Sequence, residues 1–264
     1  MIDFDSSDIW APRLSQVLSG CLREATSSEV KSANPEDPHR ALNILLSLND
    51  RDEIIDRTLE WLRSVAVAGY HGTRLTDDEV ASVQATGLLT LAAEARRDRL
   101  IRALSRHKRW TDVAGNLDAT IEAYGAGARA GCREGQAHLT LSRSGLTNGF
   151  NHYITHGAEF DQHVAHALLG SEGKELLQLD GKARVIRFAV PGSIALDAAH
   201  PYFSVADLRA NGDVPNIVDE FLKAWSYRVA HPGFQTRTLQ VDCGLVFRST
   251  VSGSWIREIE TLPC

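Results

Sequence analysis

Three groups of residues carry types and spacings that could do chemistry. In Gly69–Arg74, GYHGTR, a histidine, a glycine, a threonine and an arginine are presented together. Gly72 lets the backbone come close to a bound group. Loops held by rigid elements are where ligand contacts concentrate. A second group is the set His152, His156, His163 and His166, with Tyr153 and Glu159 among them. His152 and His156 are four apart, as are Glu159 and His163. No third ligand at zinc-protease spacing accompanies them and HExxH is absent, so no metal site is expected. The third group comprises the late acids, Asp242 with Gln240 two residues before it, then Glu258 and Glu260.

The elements that must position the first group can be read locally. Val65, Val67 and Tyr70 bring β-branched and aromatic character up to the turn. Thr76-Asp77-Asp78-Glu79 has the capping-box spacing, a hydroxyl and then a carboxylate three residues on. A helix follows with Val80 and Val83 toward the core, and Gly87 ends it with Leu88 as the apolar follow-up. The second group is prepared by Ala137–Ser142, AHLTLS, which alternates as a strand should. A helix then runs through NHYITHGAEFDQHVAHALLG, with Gly157 a break point. The third lies in Thr236–Phe247, read as the clearest strand in the chain, with Leu239, Val241, Cys243, Leu245 and Phe247 on one face and Gln240 and Asp242 on the other. Trp255–Glu260 reads as a final strand that puts Glu258 and Glu260 on one face.

Elsewhere, residues 1–60 show three apolar stripes at helical spacing, with Ser27–Pro38 a polar loop and Asp50 a cap. A helix capped by Thr90 and running to about Arg106 carries a run of seven basic residues within fourteen, from Arg96 to Arg109. Charge runs of this kind usually form a solvated helix face; the sharper reading is an anion site for a pyrophosphate or a phosphate-bearing target. Ala114–Gly135 reads as a short helix and a loop, Ala183–Pro191 as a strand, Ser193–Asp213 as irregular and Pro215–Arg228 as an amphipathic helix.

The composition sets outer bounds. The 264 residues carry a formal charge of −6, so a globally basic nucleic-acid binder is not indicated. No apolar run approaches the ~20 residues of a membrane span. The four cysteines, Cys21, Cys132, Cys243 and Cys264, form no C-x-x-C pair, which fits a reducing compartment. The opening MIDFDSSDIW lacks the basic and apolar regions of a secretory signal. A cytoplasmic protein is expected, or an effector exported without such a signal.

Tyr70-His71-Gly72-Thr73, followed by a helix and Gly87-Leu88, resembles the first motif of the ADP-ribosyltransferase superfamily, the fold of diphtheria-type toxins and poly-ADP-ribose polymerases. The strand leading into a helix that carries Tyr153 resembles the second motif. Gln240-x-Asp242, then Leu-Val, a turn and Trp-Ile, resembles the third, which carries the catalytic carboxylate. The sequence departs there in having Asp where Glu is usual; Glu159, Glu258 and Glu260 are the competing acids.

The resemblance implies an α+β fold: a split β-sheet core over 65–264, with residues 1–64 as a helical extension packed on it. It implies that NAD is the substrate, cleaved at the nicotinamide–ribose bond, with ADP-ribose passed to a protein or nucleic-acid target in the manner of a toxin, effector or defence factor. His71 would hydrogen-bond a ribose hydroxyl, the backbone of Gly72 would clamp the carboxamide, Thr73 would be among the cofactor-binding residues, and Tyr153 would stack on the ring. Asp242, with Gln240, would face the cationic carbon, and Arg74 or the later arginines would meet the pyrophosphate. Two alternatives share the scaffold: an NAD-dependent RNA 2′-phosphotransferase, and a binding protein without catalysis.

Overall fold

The computed structural model describes residues 1–125, 133–239 and 241–263. Gln240, Cys132 and Cys264 lie outside the described residues. Four helices come first, α1 (Ser7–Leu18), α2 (Thr26–Ala33), α3 (Pro38–Leu48) and α4 (Arg51–Arg63), and lead into strand β1 (Ala66–Leu75). Helices α5 (Asp77–Thr86), α6 (Arg97–Leu104), α7 (Trp110–Val113) and α8 (Leu117–Tyr124) precede β2 (Ala137–Thr140). Then come α9 (His152–His156), α10 (Glu159–Leu169), α11 (Ser171–Leu177) and β3 (Lys182–Pro191). Helices α12 (Gly192–Ala198), α13 (Val205–Ala210) and α14 (Asn216–Ala230) are followed by β4 (Gly244–Phe247) and β5 (Ile256–Thr261).

The protein is α+β. Its strands hydrogen-bond in the order β4-β2-β1-β3-β5, one sheet where two halves were expected. Strand β5 runs antiparallel to β3, with Ile186 opposite Ile259 and a register break between Arg187 and Phe188. No described helix is long and apolar enough to cross a membrane.

The chain divides into two compact units that do not follow the expected boundary after residue 64. The first comprises Met1–Gly69, Leu139–Gly145 and Ala189–Leu245, so the N-terminal helices share a unit with later segments rather than standing as an extension. Its core is aromatic. Phe221 meets Phe4, Trp10 and Trp61 edge-on, with centroids 5.2, 4.8 and 5.8 Å away. Ile2 pairs with the start of β1 through two backbone bonds of 2.7 Å.

Two stretches read as irregular are helical here. In α2, the segment taken as a loop, one apolar side chain decides the matter: Val30 is fully buried, and Thr26 donates to Asn49 at 2.8 Å. Within 193–213, Ser204 and Asp207 form a capping box that starts α13. Conversely, the strand read over 236–247 is confined to β4. Its first residues make a short 3-10 turn, because Thr236 turns inward and its hydroxyl donates to the Phe4 carbonyl at 2.7 Å.

The second unit comprises Tyr70–His138, Leu146–Phe188 and Val246–Cys264. Helices α6, α8, α10 and α11 bury Leu100, Leu104, Leu117, Val164 and Leu177 against one another. Helix α5 contributes no fully buried residue: Val80 and Val83, expected toward the core, are half-buried, and Val83 lines a cavity in this unit. What holds α5 is polar. The Thr76–Glu79 capping box fixes its start, and Glu79 also receives Arg99 and Arg102. At its end Gly87 has φ +88, and a Cβ there would stand 2.2 Å from the Val251 carbonyl oxygen. Backbone bonds between Leu88 and Val251 close this corner.

Candidate functional site

A cavity of about 620 Å³ lies wholly within the second unit. That is within the ~300–1,000 Å³ of small-molecule and cofactor sites. One wall is β1, with His71, Gly72 and Thr73. A second is α5 and the residues after it, a third the approach to β2 and a fourth the α9–α10 corner, with Tyr153 and Glu159. Because side chains alternate along a strand, His71 and Thr73 share a face.

Arg74 falls on the other face of β1 and does not line the cavity. It is buried, and its guanidinium donates to the Gly181 carbonyl at 2.7 Å. This corrects its assignment to a ligand phosphate, since residues three apart on a strand cannot face the same way. At Gly72, a Cβ would stand 2.8 Å from Leu146 Cδ1 and 3.0 Å from Ile154 Cγ1. The missing side chain therefore admits an apolar neighbour on one side of the strand, while the backbone lines the cavity.

The imidazole of His71 has a defined tautomer. Its Nδ1 lies 2.8 Å from the His138 carbonyl oxygen, which only accepts, so Nδ1 carries the proton and Nε2 keeps its lone pair. Burial lowers its pKa, against the His138 carbonyl bond and with help from the Arg96 charge. His138 is also lowered, to about 4, by burial and then by Arg133 and His71. His71 and His138 are therefore neutral at neutral pH.

Tyr153 and Glu159 form the polar corner. The Tyr153 hydroxyl donates to Glu159 Oε1 at 2.8 Å, and His152 Nε2 lies 3.2 Å from the same oxygen. Arg133 Nε approaches Glu159 Oε2 at 2.9 Å, and its guanidinium carbon sits 5.9 Å from the Tyr153 ring centroid. Burial alone would raise the Glu159 pKa, but Tyr153, Arg133 and His152 together bring it below the usual value. Its place in the first turn of α10 acts in the same direction. Burial, opposed by Arg133 but joined by the bond to Glu159, raises the Tyr153 pKa, so the phenol stays protonated. The corner thus offers an ionised carboxylate beside an aromatic face. Gly157, at φ +83, makes the break between α9 and α10 that brings the two together.

Five of the seven bases in the run, Arg96 to Arg106, are held by partners within the fold. Arg96 pairs bidentately with Asp161, Arg97 with Asp118, and Arg102 with Asp180. Arg99 donates to both Glu79 oxygens at 3.0 Å and to the Arg74 carbonyl at 2.8 Å. Arg106 donates to the Leu179 carbonyl. These five cations are occupied with partners of the fold, which leaves Lys108 and Arg109 as the bases of the run that the RNA 2′-phosphotransferase reading can still draw on.

The histidines disperse as well. His152 turns to Glu159, His156 to the Lys174 carbonyl, and His163 stacks on Tyr124 with centroids 5.8 Å apart. Among the described residues no group of three or more His, Cys, Asp and Glu could hold a metal ion.

Of the residues singled out from sequence, the cavity gathers His71, Gly72, Thr73 and Tyr153, together with the competing acid Glu159. Asp242 does not join them. It is exposed in the first unit, on the segment before β4, because the strand expected to orient it begins only at Gly244. Glu258 and Glu260 lie on β5 and line no part of the cavity; Glu258 is 4.0 Å from Arg187. Sequence reasoning missed Arg133, Gln136 and His138. Only the strand parity of His138 hinted at a role, and nothing local marked Arg133. Compared with family models, curated proteins and solved structures, the chain matches none.

Proposed function

We propose that the second unit binds NAD and cleaves its nicotinamide–ribose bond, as an ADP-ribosyltransferase-like enzyme that passes ADP-ribose to a macromolecular acceptor. The observation that carries this reading is the convergence of His71, Gly72, Thr73, Tyr153 and a carboxylate on one cavity of cofactor size. The carboxylate is Glu159 and not Asp242.

The chemistry asks little covalent work of the protein. The C1′–N bond breaks, and its electron pair leaves with nicotinamide, which becomes neutral. The ribose carbon turns oxocarbenium-like, and an acceptor oxygen or nitrogen bonds to it and loses a proton. The protein must orient the dinucleotide and place negative charge near the developing cation. Tyr153 offers a π face for the pyridinium ring. Glu159 is the carboxylate beside that ring, already oriented by the tyrosine hydroxyl. Nε2 of His71 can accept a ribose hydroxyl. Such an enzyme works where NAD is plentiful, in its own cytoplasm or that of a target cell.

The test is incubation with NAD, with nicotinamide release followed by chromatography and NAD affinity measured by calorimetry. Glu159→Gln should lower the rate about 100- to 1,000-fold, the scale for removing one group that stabilises transition-state charge. Asp242→Asn should leave it unchanged. A wild-type rate in E159Q, or no NAD affinity in the unaltered protein, overturns the reading.

A further inference from the structure

We propose that Arg133 caps the Tyr153–Glu159 corner, and that a phosphate group on the ligand draws it off, so that the corner accepts a pyridinium ring only when the same ligand, or a second one, brings an anion. This rests on the NAD reading and deepens it by naming the residue that selects for phosphate.

Two contacts of Arg133 carry the inference. Its Nε holds Glu159 Oε2 at 2.9 Å, and its guanidinium lies 5.9 Å from the centroid of the Tyr153 ring. One side chain thus neutralises the carboxylate and occupies space over the ring, the two features a cationic ring would need. A pyridinium cannot stack there and feel the full charge of Glu159 until Arg133 moves.

The cap is exchangeable. Both side chains of the pair are partly open, 38% for Arg133 and 29% for Glu159, and ion pairs this open to water contribute little. Glu159 keeps the Tyr153 hydroxyl and His152 when Arg133 leaves. Among the described residues one other arginine lines the cavity, Arg96, and it is not exchangeable in this way. It makes a two-point pair with Asp161, whose side chain is 1% exposed. An incoming diphosphate therefore meets one guanidinium that can turn to it and one that cannot. Arginine suits the task because its planar fork matches phosphate oxygens in a bidentate contact.

The test uses the full chain and calorimetric titration with NAD, with nicotinamide riboside, and with nicotinamide riboside in the presence of inorganic pyrophosphate. In the unaltered protein, pyrophosphate should tighten nicotinamide riboside binding, and by reciprocity the riboside should tighten pyrophosphate. Arg133→Met should weaken NAD about 10- to 100-fold, the range for one charge-assisted contact, while nicotinamide riboside binds as well or better and ignores pyrophosphate. Arg133→Lys should recover part of the NAD affinity. Pyrophosphate without effect on the riboside, or competing with it, overturns the cap even if every variant fails to fold. Equal NAD affinity in R133M and the unaltered protein also overturns it, while leaving the NAD reading in place. Failure of the unaltered protein to bind either nicotinamide compound overturns both.

Discussion

Replacing Arg99 by methionine should destabilise the second unit by about 3–5 kcal/mol at pH 7, the scale for removing one partner from a buried ion pair. Arg99 is 5% exposed, and it touches Glu79, Asp161 and Asp180 at 3.0, 3.3 and 3.7 Å. Asp161 and Asp180 are themselves 1% and 2% exposed. Around them stand Arg96 and Arg102, so three carboxylates face three guanidiniums. Methionine fills most of the space but leaves three negative charges against two positive. With a urea m-value of about 2 kcal/mol/M, the unfolding midpoint should fall by about 1.5–2.5 M. Hydrogen exchange on peptides of α5, α6 and α10 should report the loss, since Glu79 ties α5 to this cluster.

The pH dependence separates a charge effect from simple packing damage. In the unaltered protein the Asp180 pKa is lowered: burial would raise it, but the Arg102 bond and the Arg99 charge prevail. That stability is present above the ordinary carboxylate range and is lost as pH falls through the native value. In R99M the excess negative charge makes the native cluster take up a proton more readily than the unfolded chain. Its stability therefore rises relative to the unaltered protein as pH falls from 7 to 5. A midpoint shift under about 0.5 M at pH 7, or a deficit that stays constant down to pH 5, would refute the reasoning.

Other consequences follow from local geometry. Because His138 is pushed down to about 4, the unfolded chain gains a proton below about pH 6.5 that the native state refuses until about pH 4. Stability should thus decline by about 1–2 kcal/mol across that window, allowing for partial exposure, and His138→Gln should flatten the decline in a series of urea titrations. Thr76→Ala removes the acceptor for the Glu79 amide, and should cost about 0.5–2 kcal/mol and speed exchange at the start of α5. Gly72→Val drives carbon into Leu146 and Ile154, and should cost about 1–3 kcal/mol by thermal melting.

The parts of this molecule that could be read from its sequence are those whose cause is local. Thr76 and Glu79 are three residues apart, and their box forms as written. Gly87 and Gly157 end their helices with positive φ, and Asp50 caps α4 by accepting from the Asp52 and Glu53 amides. The apolar row Ile217, Phe221, Trp225 is buried along α14. What could not be read depends on partners far along the chain. The arginine run looked like a free positive patch because Asp161 and Asp180 stand 65 and 78 residues from the arginines they neutralise. Asp242 was placed by strand alternation, which fails where Thr236 turns inward and the strand has not yet begun. Glu159 was visible only as a competitor, since no periodicity shows that the break at Gly157 turns it toward Tyr153. Arg74 is different: its parity with His71 was legible, and it already argued against a shared face.

The ion pairs of the second unit fall into two kinds, and the division has a functional consequence. Arg96, Arg99 and Arg102 are locked by buried carboxylates with several contacts each, so moving any one strands a charge out of water. Arg133 and Glu159 pair at 2.9 Å with both side chains partly open at the cavity, where water or a ligand can replace either partner. The first kind fixes the wall that α5 supplies, and the second is left to respond to what enters. Changes to the two should therefore separate. R99M should lower stability and weaken every ligand together, by loosening the wall. R133M should leave the unfolding free energy within about 0.5 kcal/mol, as surface substitutions do, and should alter the order in which ligands bind. If instead R133M unfolds the protein or R99M reorders the ligands, burial does not govern which of these charges are free to move.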